Sequence, residues 1–93
     1  MTHTLLIEEQ IQQRIKELKG WTRSGKEIKK STKLKDFVEA MGFVTSVAIL
    51  AEKMDHHPDI DIRWNTVHLT LSTHSAGGLT DYDFNLAKQI DEL

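Results

Sequence analysis

The sequence predicts an α+β fold: a four-stranded antiparallel sheet with three helices packed on one face, in the order α-β-β-α-β-β-α. Three observations lead there. Apolar residues recur at helical spacing in three separate stretches. Between these lie two stretches with the marks of hairpins, strand-like runs around turn residues. The length of 93 residues fits a single domain, 1–93, because a chain this short buries only about 60 to 65% of the surface its unfolded form exposes.

The first helix is expected over residues 5–19, where Ile7, Ile11, Ile15 and Leu18 recur at helical spacing and Gly20 offers a left-handed stop. Trp21 to Arg23 and Lys26 to Leu34 flank Ser24-Gly25 as a short hairpin, although the second strand alternates poorly. The central helix runs from Asp36 to about Asp55. Its expected core stripe is Phe37, Met41, Val44, Ala48 and Ala51, widened by Val47, Leu50 and Met54. Ile60, Ile62 and Trp64 alternate at period two, Asn65-Thr66 serve as turn residues, and Val67, Leu69 and Leu71 alternate again. After the Ser75 to Gly78 loop, Thr80 and Asp83 have the spacing of a capping box, with Leu79 and Phe84 as its hydrophobic staple. Phe84, Ala87 and Ile90 give the third helix its apolar face. Four short strands leave two sheet edges, so a homo-oligomer built by joining sheets or packing helices is expected.

Composition narrows the chemistry. A net charge of −2 argues against a phosphate-binding surface. The basic run of Lys26, Lys29, Lys30, Lys33 and Lys35 is interrupted by Glu27 and Asp36 and reads as a solvated face. With no cysteine, disulfides, thiolate metal sites and thiol nucleophiles are excluded. Met1-Thr2-His3-Thr4 lacks the basic start of a secretory leader and no apolar run has the length of a membrane span, so the expected address is cytoplasmic.

The densest chemistry lies in Asp55-His56-His57-Pro58-Asp59. Pro58 biases His57 away from helical backbone, so the two histidines fall at the carboxyl end of the central helix. Helix-ending cations are one reading of that pair. His74 lies at the end of the last strand beside a glycine-containing loop, a place where ligand sites tend to form, whereas mid-strand His68 reads as the wet side of the sheet. Adjacent helical residues point about 100° apart, so His56 and His57 are ill suited to chelating one ion, and no His-Glu-x-x-His spacing exists. Ser72 and Ser75 lack a nucleophile's context. Acid–base chemistry by imidazole, with an unperturbed pKa of about 6.5, needs no cofactor and suits these residues.

The run Glu52-Lys53-Met54-Asp55-His56-His57-Pro58 is followed by Ser72-Thr73-His74, then Gly78-Leu79-Thr80 and Asp83-Phe84-Asn85-Leu86-Ala87. Together with Gly20-Trp21 and Lys35-Asp36-Phe37, it resembles the pterin-4a-carbinolamine dehydratase family over nearly the whole chain. The resemblance implies a lyase that removes water from 4a-hydroxytetrahydrobiopterin to give quinonoid dihydrobiopterin, supporting tetrahydrobiopterin recycling after aromatic amino acid hydroxylation. It implies catalytic His56, His57 and His74, supporting Glu52, Asp55, Asp83 and Trp21, and substrate contacts through Pro58, Thr73 and Ser75, with no metal. It also implies a homodimer or homotetramer, a functional link to an aromatic amino acid hydroxylase, and neither nucleic-acid nor membrane binding. Asp83 is open to two readings, the acid of a capping box or the partner that orients a histidine. The sequence departs from the family pattern at Ile60, where several relatives carry an aromatic, and at Ile7, where many carry Thr. Two alternatives stand beside the enzyme: a regulatory dimerisation module without catalysis, such as some relatives provide to a homeodomain transcription factor, and a dehydratase for a different reduced pterin.

Overall fold

A computed structural model describes residues 4–93; of the start read above for a leader, Met1 to His3 lie outside the described residues. The elements are α1 (Glu8–Ile15), β1 (Thr22–Ser24), β2 (Glu27–Lys33), α2 (Phe37–Met54), β3 (Asp59–Arg63), β4 (Thr66–Leu71) and α3 (Asp81–Asp91), with a 3-10 turn at His74–Ala76 before α3. This is the predicted α+β order. The strands form one antiparallel sheet in the order β1-β2-β4-β3, which makes β4 a central strand. Its period-two pattern is consequently sharp: Val67, Leu69 and Leu71 are buried, and His68 and Thr70 alternate with them on the open face. Cross-strand register sets Ile28 beside Leu71 and Ile62 beside Val67. Against this face pack Ile11 of α1, Ala40, Val47 and Ala51 of α2, and Phe84, Leu86, Ala87 and Ile90 of α3. Each large side chain so buried, such as Phe84, contributes about 1.5–3 kcal/mol. Among the described residues no helix is long and apolar enough to cross a membrane.

Three expectations need correction. The first helix is shorter than residues 5–19, because the Leu6 N–H donates to the carbonyl of Leu79 and keeps the preceding segment extended. At the other end Glu17 and Leu18 N–H groups turn back to Arg14 and Ile15, three residues earlier, before Gly20 takes a left-handed φ of 78°. The stripe assigned to α2 is rotated. Ala40, Val47 and Ala51 are its buried residues, flanked by half-buried Phe43, Val44, Leu50 and Met54, while Phe37, Met41 and Ala48 are exposed. Finally, Trp64 is not a strand residue. The second hairpin reverses at Trp64-Asn65, one residue early, because the Asn65 side-chain amide donates to the Leu34 carbonyl at 3.0 Å and the Asn65 carbonyl accepts from Leu34 N–H at 2.7 Å. Asn65 is thereby buried, and Trp64 is left 71% exposed with φ of 54°.

The end of α2 determines the rest of the molecule's chemistry. Asp36 caps its start by accepting from Glu39 N–H. At its end Asp55 adopts left-handed backbone, φ 51° and ψ 43°, a region that aspartate tolerates better than most residues. The Asp55 N–H then reaches the Glu52 carbonyl and the His56 N–H the Ala51 carbonyl, the paired bonds of a Schellman stop. This reversal folds His56 back toward the core and sends His57 outward.

Candidate active site

His56 is almost fully buried, 8% exposed, and its imidazole faces α3. Its Nε2 lies 2.6 Å from Oδ1 of Asp83, a carboxylate with no solvent exposure at all. Asp83 occupies the third position of α3, as the capping box requires. Its Oδ2 accepts from Thr80 N–H at 2.9 Å and from the Thr73 hydroxyl at 2.8 Å. The two readings of Asp83 are therefore both satisfied, one by each oxygen. A buried carboxylate needs donors around it, and here it has three. The Tyr82 ring lies beside His56, 5.8 Å between centroids.

His57 sits on the other side of the Schellman reversal. Its Nε2 is 2.8 Å from Glu52 Oε1, with both side chains largely exposed, so this pair orients the ring more than it stabilises the fold. His74 opens the 3-10 turn that follows β4. That turn is built on the Thr73 carbonyl, which accepts from the N–H groups of Ala76, Gly77 and Gly78. Gly77 takes φ of 80°, where a side chain would be strained. His74 is exposed, and its imidazole has no hydrogen-bond partner among the described residues.

These segments enclose a cleft of about 250 Å³ lined by Asp55, His56, His57, Ser72, Thr73, His74 and Ser75. The three histidines singled out in the sequence thus meet in one place, with Asp55 and Ser75 beside them. Glu52 and Asp83 stand behind His57 and His56. Pro58 and Trp21 do not line the cleft. The Trp21 indole is buried, donating from Nε1 to Asp91 at 2.8 Å, while Lys30 Nζ approaches the same carboxylate at 2.7 Å. Trp21 is therefore part of a structural knot between β2 and the end of α3. Thr73 borders the cleft, but its N–H, carbonyl and hydroxyl are all engaged within the protein.

A hollow of about 330 Å³ on the open face of the sheet is larger, lined by residues including Lys29, Asp59, Asp61, His68 and Thr70. It brings in a single histidine, His68, bonded through Nδ1 to Ser31 Oγ at 2.7 Å. The smaller cleft is the better candidate because three imidazoles from two chain segments converge on it. Among the described residues no group of three or more His, Cys, Asp or Glu side chains is placed to hold a metal ion. Sequence reasoning missed Ser72 and Tyr82 as neighbours of the histidines. Tyr82 is legible only once Asp83 is known to face His56, since the two are adjacent in the first turn of α3.

The arrangement can donate and accept protons around a small ligand. Comparison with known proteins places the chain in a family. The family model for pterin 4 alpha carbinolamine dehydratase matches residues 4–93. A Roseiflexus castenholzii protein provisionally named a pterin-4-alpha-carbinolamine dehydratase is 57% identical over 89 residues, covering 96% of each chain. A Nocardia farcinica protein of the same provisional name is 56% identical over 93 residues, 100% of this chain and 98% of its own. The crystal structure of a transcriptional coactivator/pterin dehydratase from Brucella melitensis superposes with a TM-score of 0.92 at 36% identity, covering 96% of this chain and 97% of that one. With this full-length match, the chain belongs to the pterin-4a-carbinolamine dehydratase family.

Proposed function

We propose that this protein is a hydro-lyase that dehydrates a pterin 4a-carbinolamine, 4a-hydroxytetrahydrobiopterin, to the quinonoid dihydropterin. The observation that carries the reading is the convergence of His56, His57 and His74 on one cleft, with Asp83 buried behind His56. The carbon–oxygen bond at C4a breaks as the adjacent ring nitrogen forms a double bond to that carbon. One imidazolium gives its proton to the departing hydroxyl, which leaves as water. A second imidazole receives the proton shed by the nitrogen, so the step is balanced with no redox change. Proton transfer by positioned groups of this kind contributes about 10²- to 10⁴-fold. Asp55 and Ser75, on the cleft wall, supply polar contacts to the pterin ring.

The reaction supports recycling of the cofactor of an aromatic amino acid hydroxylase, the functional partner this reading implies. A reduced pterin suits a reducing compartment, which favours the cytoplasm. The exposed apolar residues of α2, Phe37, Val38, Met41 and Ile49, favour a homodimer or homotetramer. The same surface supports the second reading, a regulatory dimerisation module. The test is the dehydration assay on freshly generated carbinolamine, followed by pterin absorbance. Acceleration well above the uncatalysed rate is expected; no acceleration by folded protein would leave the binding-module reading in its place.

A further inference from the structure

The hydroxyl groups behind Asp83 have a single consistent proton direction. Asp83 is fully buried and its Oδ2 faces two donors, Thr80 N–H and the Thr73 hydroxyl. The one hydrogen of Thr73 Oγ1 is committed to that carboxylate. In the 2.7 Å contact between Thr73 Oγ1 and Thr80 Oγ1 the hydrogen must then come from Thr80. Thr80 Oγ1 in turn accepts from Tyr82 N–H. The chain therefore runs from the Tyr82 amide through Thr80 and Thr73 to Asp83, and Asp83 Oδ1 is left to accept from Nε2 of His56.

We propose that Thr80, acting through Thr73 and Asp83, is a positioning residue for His56: the relay holds the proton on Nε2 and leaves Nδ1 as the nitrogen that exchanges protons in the cleft. Thr73 and Thr80 are both 2% exposed, so water does not compete for these bonds. Thr80 does not line the cleft, and its influence reaches the substrate only through the ring it fixes. A cap alone requires that Thr80 accept from α3; the relay additionally requires that it donate. The inference rests on the dehydratase reading for its kinetic consequence but not for its structural one. The other groups that bear on His56 are Asp55 and His57 from its own segment, His74 and Ser75 across the cleft, and Tyr82 from α3.

The decisive measurement is the ¹⁵N spectrum of the histidine rings as a function of pH. In the wild type neutral His56 is expected as the Nε2–H tautomer; Nδ1–H as its main form would overturn the proposal without reference to activity. Thr80→Val is expected to mix the tautomers, shift the pH profile of kcat, and lower kcat about 10- to 100-fold with little change in KM. Thr80→Ser, which keeps the hydroxyl, is expected to restore the wild-type tautomer and profile. If loss of the cap unfolds the valine variant, Thr73→Val breaks the relay while keeping both capping side chains, Thr80 and Asp83, and should give the same changes. A folded Thr80→Val or Thr73→Val protein with unaltered His56 tautomer and pH profile would overturn the relay. A wild type that shows the tautomer but no dehydration would overturn the functional reading alone.

Discussion

Replacing Asp83 by Asn tests the site and the fold together, because the substitution preserves shape while removing the charge and turning one acceptor oxygen into a donor. Three donors point at this carboxylate: His56 Nε2, the Thr73 hydroxyl and the Thr80 N–H. An amide oxygen in the place of Oδ2 keeps the last two, now as neutral bonds, each weaker by roughly 1 kcal/mol than a bond to a charged group. The amide NH₂ then meets His56 Nε2 donor to donor, unless the histidine moves its proton to Nδ1. The total loss is about 2 to 4 kcal/mol, against a stability of about 5 to 14 kcal/mol for a chain of this size. With a urea m-value of about 1.3 kcal/mol/M, the midpoint should fall by about 1.5 to 3 M. The displaced proton is expected to lower kcat about 10²- to 10⁴-fold, since a histidine in the wrong tautomer loses its function even where its position is kept. Urea unfolding followed by fluorescence, together with the dehydration assay on the folded variant, reads both effects. An unchanged midpoint with turnover within about twofold of wild type would refute the reasoning for both oxygens.

His74→Ala removes an exposed ring with no partner among the described residues, so dehydration should fall about tenfold or more while stability stays within about 0.5 kcal/mol; unchanged turnover in the folded protein would remove His74 from the mechanism. Asp91→Ala strands the Trp21 indole N–H, the Lys30 ammonium and the Lys19 N–H, and should cost about 2 to 4 kcal/mol in urea unfolding with kcat intact. A selective loss of kcat would instead return Trp21 to the active site. Trp64→Gly relieves about 1 to 2 kcal/mol of left-handed strain and gives back about 0.5 to 1 to the unfolded chain's entropy, so the melting temperature should be unchanged or slightly higher. A loss above about 1 kcal/mol would mean that the indole packs against the fold.

Local and tertiary determinants of this fold differ in how plainly the sequence carries them. Local devices were legible. The Thr80/Asp83 box, the Asp36 opening of α2 and the alternation of β4 each depend on a few residues close in sequence, and all three formed as read. The phase of α2 was not legible, because Phe37, Val38, Met41, Phe43, Val44, Val47, Ile49 and Leu50 make it apolar nearly all round. Periodicity identifies such a helix, but the choice of face is made by the partners it packs on. The turn at Trp64-Asn65 was missed for a similar reason: a tertiary bond from Asn65 to Leu34 outweighed the left-handed strain at Trp64. In the site, the meeting of His74 with His56 and His57 was anticipated from strand-end placement and from the family resemblance. The hydroxyl chain behind Asp83 was not, because it joins Thr73 to Thr80 across a loop whose path no local rule specifies.

The most direct measurement is an NMR titration with a stable dihydropterin that lacks the 4a hydroxyl and so binds without reacting. The account predicts shift changes concentrated on the rings of His56, His57 and His74 and on the amide of Ser75, with His68 silent. Changes centred on His68 and Asp61 in the open-face hollow, with the three cleft histidines unmoved, would contradict it.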